Sequence, residues 1–486
     1  MLQMTDTALS TSIDAGIDAI MRRHAAVGIA VGVVRDGELD TVRSRGLADM
    51  DRGTPVTSET VFRIGSITKT FTAVAIMQLA EHGRIDLDAP AARYLRSYAL
   101  VPFPPGDRPA SVRHLLTHTA GIPEVIRASN LVHRLFGETV PIGAEVPPLA
   151  EFYRDGLKCY AEPGTRFSYS DHNFTTLGQI VEDVTGQSLE SYLDEHLFAV
   201  LGMTSTGLRR DDRLRARLAR GYTIGRHGPR PVKDYELITA AAGGAYSTLT
   251  DMARYAVALL DGGANEHGRI LSGSSLAAMF EPQYRPDPRV PGIGLSFWRS
   301  ESDGQLIVDH GGIVPGFNSE MFLAPAVRVG VLAFTNGASR AMFWLPGEVS
   351  ALLCRIVGAS SFDPDSLGPQ RPETWPDLCG RYTVRGRLTD LRAREMTGLG
   401  IEVLVRRGRL VLRLLTPVRA LYRGLPLLPD RSDPDAFWLD LRQYDIGLAR
   451  VVFSREPGLG VTALHLDILP MSADKRPRRA GRSSRS

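Results

Sequence analysis

The stretch RIGSITKTF, residues 63–71, holds a serine and a lysine three positions apart, Ser66 and Lys69, just before an apolar run. Residues three apart share one face of a helix, so a helix that begins here brings the two side chains together. Two interpretations fit this pattern. Ser66 caps the helix, because serine is among the preferred N-cap residues, or it is a nucleophile whose base lies one turn away.

The helix after Ser66 is predicted to be buried. Its segment AVAIMQLA, residues 73–80, is apolar on nearly every side, which is typical of a helix inside a core. A lysine at the start of a buried helix loses hydration, and the positive end of the helix dipole disfavours its charge. Both effects favour the neutral amine of Lys69, which is able to take a proton from Ser66.

The chain has 486 residues and a net charge of +3, which is ordinary for a globular protein long enough for two domains. Residues 474–486 alone contribute +5 of this charge, which leaves −2 for the rest. The folded body is therefore not predicted to bind nucleic acid, and the tail is predicted to be a solvated, disordered basic segment.

The three cysteines, Cys159, Cys354 and Cys379, are far apart and form no CxxC pair. They predict neither a disulfide framework nor a zinc site, and they suit a reducing compartment. The first residues lack a basic leader ahead of an apolar core, and no run of about eighteen apolar residues occurs. We therefore expect a cytoplasmic protein without a membrane segment.

Strand patterns occupy both ends of the first 360 residues, and helical patterns fill the middle. Residues 27–46 predict two strands joined at Asp36-Gly37, a pair typical of a tight hairpin turn. Four more strands are predicted between residues 292 and 336, in the segments GIGLSFW, QLIVDH, NSEMFLA and VRVGVLAFTN. Short links between successive strands indicate antiparallel pairing. The predicted fold class is α+β, with an antiparallel sheet flanked by helices and an all-helical lobe.

A second domain follows a stretch rich in Pro, Ser and Asp. Residues 400–415 alternate between apolar and polar side chains on either side of a turn near Gly408, and further short strands follow. About 100 residues of short strands predict a small all-β barrel or sandwich. The predicted divisions are a first domain at 1–360, a linker at 361–377, a β-barrel at 378–473 and a basic tail at 474–486.

Two later segments favour the nucleophile over the helix cap. The first, residues 163–178, places Tyr169-Ser170-Asp171 in a loop ahead of a helix. The second, residues 308–319, places His310-Gly311-Gly312 at a strand end, where two glycines let the backbone approach a ligand closely.

Together these three elements resemble the serine β-lactamase and penicillin-binding protein superfamily, in its class C branch. The residues 66–69 match SxxK, the residues 169–171 stand where the branch has Tyr-x-Asn, and the residues 310–312 stand where it has Lys-Thr-Gly or His-x-Gly. The phrases VRHLLTHTAGIP, residues 112–123, and EPGTRFSYS, residues 162–170, are also similar to the family.

The resemblance implies a role for each of these residues. Ser66 is the nucleophile that becomes acylated, and Lys69 and Tyr169 share the proton transfers as general base and acid. The oxyanion hole consists of the backbone N–H groups of Ser66 and Ile313. The residues implied in substrate binding are Asp171, Asn173, His310, Gly311 and Gly312.

Two positions depart from the family pattern. Asp171 stands in place of asparagine, so an amide that donates hydrogen bonds becomes an acceptor only. His310 stands in place of a permanently charged lysine, which weakens recognition of a free carboxylate such as that of a penicillin. Both changes point away from an efficient β-lactamase and towards the esterases, amidases and peptidases of the branch.

We predict a serine hydrolase that cleaves an ester or amide bond of a small molecule or peptide through an acyl-enzyme on Ser66. An acyltransferase, a D-aminopeptidase, a DD-carboxypeptidase or a β-lactamase on the same site stays open. The alternative of a different class is a non-catalytic scaffold or ligand-binding protein.

The C-terminal domain resembles the lipocalin-like barrels that some members of the branch append.

No cofactor or metal is expected. The chain has no P-loop and no GxGxxG followed by an acidic residue, the patterns of nucleotide sites. His114 and His118 have the spacing of a zinc pair on a helix but lack the glutamate of HExxH and an evident third ligand. We interpret both histidines as structural.

Overall fold

The structure, a computed structural model, describes residues 6–104, 108–127, 130, 137–359, 366–384, 398–416, 422–444, 447–468 and 470–476. Parts of the predicted linker and most of the predicted basic tail lie outside these residues. The helices are α1 (Asp6–Arg23), α2 (Thr68–Glu81), α3 (Val112–Leu116), α4 (Leu149–Phe152), α5 (Asp171–Thr185), α6 (Leu189–Leu193), α7 (Asp212–Arg215), α8 (Ala240–Gly243), α9 (Leu249–Leu260), α10 (Gly273–Phe280), α11 (Ala341–Val357) and α12 (Trp375–Leu378).

The strands fall into two groups along the chain. Those of the first 360 residues are β1 (Gly28–Arg35), β2 (Glu38–Asp49), β3 (Thr54–Pro55), β4 (Phe62–Arg63), β5 (Leu100–Val101), β6 (Thr139–Pro141), β7 (Leu157–Lys158), β8 (Tyr222–Gly225), β9 (Gly228–Pro231), β10 (Tyr235–Leu237), β11 (Tyr246–Ser247), β12 (Trp298–Ser302), β13 (Gln305–Val314), β14 (Phe317–Ala324) and β15 (Val329–Thr335). Those of the C-terminal part are β16 (Gly380–Val384), β17 (Ile401–Arg406), β18 (Arg409–Leu414), β19 (Leu425–Pro429), β20 (Ala436–Asp440), β21 (Leu448–Glu456), β22 (Gly460–Leu466) and β23 (Met471–Lys475).

Within the described residues, a seven-stranded antiparallel sheet runs in the order β12-β13-β14-β15-β1-β2-β3. Because β1 pairs with β15, the two ends of the first domain meet in one sheet. One face of the sheet packs against α1 and α11, and the other packs against the helical lobe that contains α2, α5 and α9. The predicted fold class is confirmed.

The hairpin turn between β1 and β2 is at Asp36-Gly37, as predicted. Both residues have positive φ, 54° and 85°, as a two-residue turn of type I′ requires. The predicted strand GIGLSFW is wrong, because β12 begins only at its last residue, Trp298. Ser296 has a φ of 74°, so the backbone turns in the middle of this apolar segment and cannot continue as a strand.

The C-terminal strands β16 to β23 form a closed antiparallel barrel in the described residues, as predicted for this domain. The strands β17 and β18 pair across a turn at Arg407-Gly408, where φ is 51° and 71°. Trp375 and Leu378 of α12 pack into the barrel core. The last residues of the predicted linker thus pack with the barrel.

A polar contact joins the barrel to the first domain. Arg289, in the segment between α10 and β12, donates to the Asp433 carboxylate at 3.1 Å and to the Phe453 carbonyl at 2.8 Å. Asp287 accepts a hydrogen bond from the hydroxyl of Ser454 in the barrel. The barrel is therefore held against the segment that leads into β12.

Among the described residues, none of the helices combines the length and the apolar composition that crossing a lipid bilayer requires.

Two carboxylic acids lie on the sheet face that packs against α1 and α11. Asp309 of β13 and Glu320 of β14 are diagonal neighbours, since Asp309 pairs with Phe322 and Gly311 pairs with Glu320. Burial raises the pKa of Asp309 to about 7. Burial and the nearby Asp309 carboxylate raise the pKa of Glu320 well above its usual value. Both groups hold their protons in the folded protein over a pH range in which the unfolded chain has lost them.

The pKa of Asp309 predicts how stability changes with pH. An acid whose pKa is raised by folding contributes stability that is present below its unfolded pKa and is lost as the pH rises through its folded value. We expect the melting temperature to fall between about pH 4 and about pH 7, and to fall less in Asp309→Asn. Thermal melts of both proteins across this range, with the highly exposed Asp212→Asn as control, measure the difference. Parallel curves for wild type and Asp309→Asn would contradict it.

Candidate active site

Ser66 lies in one turn of 3₁₀-helix, Gly65–Ile67, directly before α2. The N-cap residue of α2 is Ile67, and no side chain caps either helix by a hydrogen bond. The interpretation of Ser66 as a helix cap is therefore wrong. The Ser66 side chain is left to make other contacts, and 8% of the residue surface is exposed.

Lys69 is fully buried one turn after Ser66. Its ammonium nitrogen lies 3.1 Å from the Ser66 hydroxyl oxygen, 2.6 Å from an Asp171 carboxylate oxygen and 2.8 Å from the Ala242 carbonyl oxygen. These three acceptors match the three N–H groups of an ammonium. The spacing of serine and lysine in the sequence thus correctly predicts their contact.

The ion pair with Asp171 corrects one step of the sequence argument. Burial and the helix dipole disfavour a charge on Lys69, but a carboxylate at 2.6 Å favours it. Desolvation of a buried cation is offset when a paired anion and further hydrogen bonds replace water. The local sequence shows the first two effects and conceals the third, because Asp171 is distant in the chain.

A run of small residues places the carbonyl groups of α8 beside α2. The Thr72 hydroxyl donates to the Ala241 carbonyl at 2.7 Å, and the Thr68 hydroxyl accepts from the Ala245 N–H at 3.0 Å. Residues 240–245 read AAAGGA, so little side-chain volume separates the two backbones. This segment provides the third acceptor of Lys69.

Tyr169 lies between two aromatic rings just ahead of α5. Its ring stacks on His118 with centroids 4.3 Å apart, and it is nearly parallel to Trp298 at 6.1 Å. The Lys69 nitrogen is 4.9 Å from the centre of the Tyr169 ring. His118 is fixed in turn, because its Nδ1 accepts the backbone N–H of Ser170 at 3.2 Å. The structure thus brings Tyr169 next to the pair Ser66 and Lys69.

Asp171 and Asn173 begin α5 and point to different partners. The Asp171 carboxylate contacts Lys69, while its backbone N–H donates to a Glu124 carboxylate oxygen at 2.9 Å. Asn173 is completely buried, with its amide nitrogen 3.1 Å from Nδ1 of His118. The predicted direct contact of Asn173 with substrate has no support here, because no part of this side chain reaches the surface.

The strand β13 extends past β12 and borders the Ser66 turn. The last pair between them, in the described part of the chain, joins Trp298 to Asp309. The side chain of His310 is buried, and its Nδ1 lies 2.7 Å from the carbonyl oxygen of Gly311. A Cβ atom on Gly312 would lie 1.9 Å from the carbonyl oxygen of Ile64. This glycine is therefore required for the close approach of β13 to the turn.

The backbone of Ile313 faces the same turn. Val314 and Phe317 close the hairpin between β13 and β14, and Ile313 forms the next pair with Asn318. Because hydrogen-bonded and non-bonded pairs alternate in an antiparallel ladder, the N–H of Ile313 points away from β14. A Cβ atom on Gly65 would lie 2.8 Å from the Ile313 nitrogen. The two amides expected in the oxyanion hole thus belong to neighbouring backbone segments.

The sequence pattern of the family described as Beta-lactamase matches residues 13–347. This range includes the whole cluster around Ser66. The chain belongs to the Beta-lactamase family. The resemblance found in the sequence is confirmed, and the predicted class of enzyme, a serine hydrolase, is confirmed with it.

The proteins that are similar to this chain carry different names. The chain is 28% identical over 391 residues to Penicillin-binding protein 4 of Amycolatopsis lactamdurans, covering 76% of this chain and 96% of that protein. It is 32% identical over 204 residues to Esterase EstB of Burkholderia gladioli, covering 41% of this chain and 52% of that protein. The fold is similar to an octameric penicillin-binding protein homologue from Pyrococcus abyssi, with a TM-score of 0.61, 24% identity and coverage of 96% and 100%.

The sequence did not predict three side chains of the site. Glu124 and Trp298 were not singled out, and His118 was interpreted as structural without a link to Tyr169. A buried glutamate after Gly-Ile-Pro and a tryptophan beside a strand end are weak signals in one sequence. Their role depends on contacts that only the fold brings about.

Proposed function

We propose that the protein hydrolyses ester or amide bonds through a covalent acyl-enzyme on Ser66. The observation that carries this proposal is the hydroxyl oxygen of Ser66 at 3.1 Å from the buried amine of Lys69. A serine hydroxyl becomes a nucleophile when a neighbouring base takes its proton. The partly exposed Ser66 combines this contact with access to substrate.

The proposed reaction has two halves. The Ser66 oxygen attacks the substrate carbonyl carbon while Lys69, as the neutral amine left once its ammonium has lost one proton, and Tyr169 take the Ser66 proton and return it to the leaving group. The N–H groups of Ser66 and Ile313 stabilise the negative oxygen that forms. Water then attacks the carbonyl carbon of the acyl-enzyme. Tyr169 passes the proton of this water to the Ser66 oxygen, and the acid is released.

Ester substrates are the preferred first candidates. The Asp171 carboxylate is paired with Lys69. A carboxylate also has no N–H group that could donate to the carbonyl oxygen of an acylamide substrate. His310 lacks the permanent charge that would attract a free carboxylate at this position. A relative described as an esterase agrees with this choice. His310 and Gly311 are proposed to line the substrate cleft.

The cytoplasmic location stays a prediction.

The test is intact mass spectrometry of the protein after separate incubations with a p-nitrophenyl acyl ester, a fluorophosphonate and a penicillin. We expect one adduct per chain with the fluorophosphonate, located on the peptide that contains Ser66, and turnover of the ester. Protein unfolded before labelling serves as the control and should not react. Folded protein that gives neither adduct nor turnover with any probe would favour the non-catalytic scaffold.

Tyr169→Phe tests the proton transfer separately from the packing. The phenylalanine ring retains the stacking on His118 and Trp298, so we expect an unchanged melting temperature. Loss of the hydroxyl should lower kcat by about 10²- to 10⁴-fold, the usual contribution of a general acid or base. Ester hydrolysis and thermal melts measure the two effects. Tyr94→Phe, which removes a hydroxyl bonded to the Asp86 N–H at 2.8 Å outside the site, should leave kcat unchanged.

A further inference from the structure

Two groups of opposite charge meet beside Ser66, the ammonium of Lys69 and the carboxylate of Asp171. Their nitrogen and oxygen atoms are 2.6 Å apart. We propose that Asp171 is a positioning residue that keeps Lys69 in its charged form around neutral pH, so that hydrolysis increases as the pH rises above neutral. This inference rests on the proposed function, because it concerns the base of that reaction.

The charge of Lys69 is compensated chiefly by Asp171. The Lys69 side chain is 0% exposed, so the solvent does not hydrate its ammonium. Of the three acceptors around its nitrogen, the Ser66 hydroxyl and the Ala242 carbonyl are neutral, and the Asp171 carboxylate carries a charge. An opposite charge at this distance favours the charged form of a titratable group. The carboxylate therefore stabilises the ammonium more than a neutral acceptor in its place would.

The position of Asp171 favours its ionised form. Asp171 is the first residue of α5, a helix of 15 residues, and the positive end of a helix dipole stabilises a carboxylate. The side chain is also 19% exposed, so the solvent hydrates it in part. Asp171 thus supplies a negative charge over the pH range in which Lys69 carries its positive one.

A charged Lys69 does not act as the base. An ammonium donates three hydrogen bonds and has no lone pair that could accept the Ser66 proton. Hydrolysis therefore requires that the pair first loses one proton to the solvent. The neutral amine then takes the Ser66 proton while the Ser66 oxygen attacks the substrate. Below the pH of this loss, kcat/KM should rise about tenfold for each pH unit, because the fraction of neutral amine does so.

Several other titratable side chains lie around the pair, and all of them are retained when Asp171 is replaced. They are Tyr169, whose ring centre is 4.9 Å from the Lys69 nitrogen, Glu124, which accepts the backbone N–H of Asp171, His118, stacked on Tyr169, His172, the next residue of α5, and His310 of β13. Burial lowers the pKa of His172 to about 4, so this ring is neutral at higher pH. The helix α8 consists of alanine and glycine and adds no charge. Variants that differ only at position 171 therefore isolate the effect of its carboxylate.

The first experiment measures kcat/KM for p-nitrophenyl butyrate from about pH 5 to about pH 10, because its pH profile reports the groups that titrate in the free enzyme. Ser66→Ala protein gives the blank for spontaneous hydrolysis. Asp171→Asn retains an oxygen that accepts from Lys69 and removes the charge. We expect the rise in kcat/KM to lie at least about one pH unit lower in this variant, so that its activity at about pH 6 is about tenfold higher than that of wild type.

Two further variants show whether the charge is responsible. Asp171→Ala lacks the amide donor that asparagine introduces and should give the same shift of the profile. Asp212→Asn, whose native side chain is 98% exposed, should leave the profile as in wild type. Thermal melts check that each variant is folded. A rise at the same pH in wild type and in both Asp171 variants would overturn the inference.

The second experiment follows the charge of Lys69 directly and needs no turnover. The chain has four lysines, Lys69, Lys158, Lys233 and Lys475, so NMR of protein labelled with ¹³C at the lysine Cε atoms gives few signals, and Lys69→Met identifies the relevant one. We expect this signal to titrate at least about one pH unit lower in Asp171→Asn than in wild type.

The two experiments together separate this inference from the proposed function. A shifted Lys69 signal in protein that hydrolyses no ester would support the control of Lys69 by Asp171 and contradict the hydrolase. Ester hydrolysis with a Lys69 signal that titrates at the same pH in both proteins would overturn the inference and leave the hydrolase standing.

Discussion

Ser66→Ala is expected to lower kcat/KM for p-nitrophenyl esters by at least about 10⁴-fold, since removal of a nucleophile leaves only binding and oxyanion stabilisation. Lys69 loses one of three acceptors but retains the Asp171 carboxylate and the Ala242 carbonyl. The fold should therefore survive, with a melting temperature close to that of wild type. Initial rates, intact mass after fluorophosphonate treatment and a thermal melt measure these outcomes on one preparation.

The control for this variant is Ser168, a second serine near the site with the same exposed fraction of 8%. Ser168→Ala removes a hydroxyl next to Tyr169 and should cost less than about tenfold in kcat/KM, because no proposed step uses it. Retention of more than a tenth of wild-type activity by Ser66→Ala, or an unchanged fluorophosphonate adduct, would rule out Ser66 as the nucleophile.

Features fixed by neighbouring residues were predictable from the sequence. Asp36-Gly37 determines a turn by its own backbone preferences, and alternation in β17 and β18 determines which residues face the barrel core. The contact of Ser66 with Lys69 belongs to the same class, since the helical repeat places them together. The prediction of a strand over GIGLSFW is wrong, because the apolar composition of this segment does not show that Ser296 adopts a left-handed conformation.

The rest of the site depends on contacts between distant segments. Lys69 meets Asp171 across 102 positions and Ala242 across 173. Every residue has a backbone carbonyl group, so the sequence does not indicate that the carbonyl of Ala242 accepts a hydrogen bond from Lys69. Asn173 is the opposite case. Its residue type and position suggested contact with substrate, but the packing of α5 buries its side chain against His118. Motifs identify which segments meet, and packing decides which atoms face the cleft.

Lys69→Met is expected to lower kcat/KM by about 10³-fold, because it removes the amine that is proposed to take the Ser66 proton. The same change should lower the free energy of unfolding by about 1–3 kcal/mol, less than the roughly 3–5 kcal/mol lost when one partner of a fully buried ion pair is removed. The Asp171 side chain is 19% exposed, so water compensates only in part for the lost ammonium. Ester kinetics and denaturant unfolding measure the two losses independently.

The double variant Lys69→Met/Asp171→Asn separates the catalytic effect from the structural one. Asparagine removes the carboxylate that the single variant leaves without its cation, so most of the stability should return. Activity should not return, because the amine is still missing. A double variant as unstable as Lys69→Met would show that the ion pair is not the source of the stability loss. Activity within tenfold of wild type in either variant would show that Lys69 is not the base, and Tyr169 would then have to take the Ser66 proton alone.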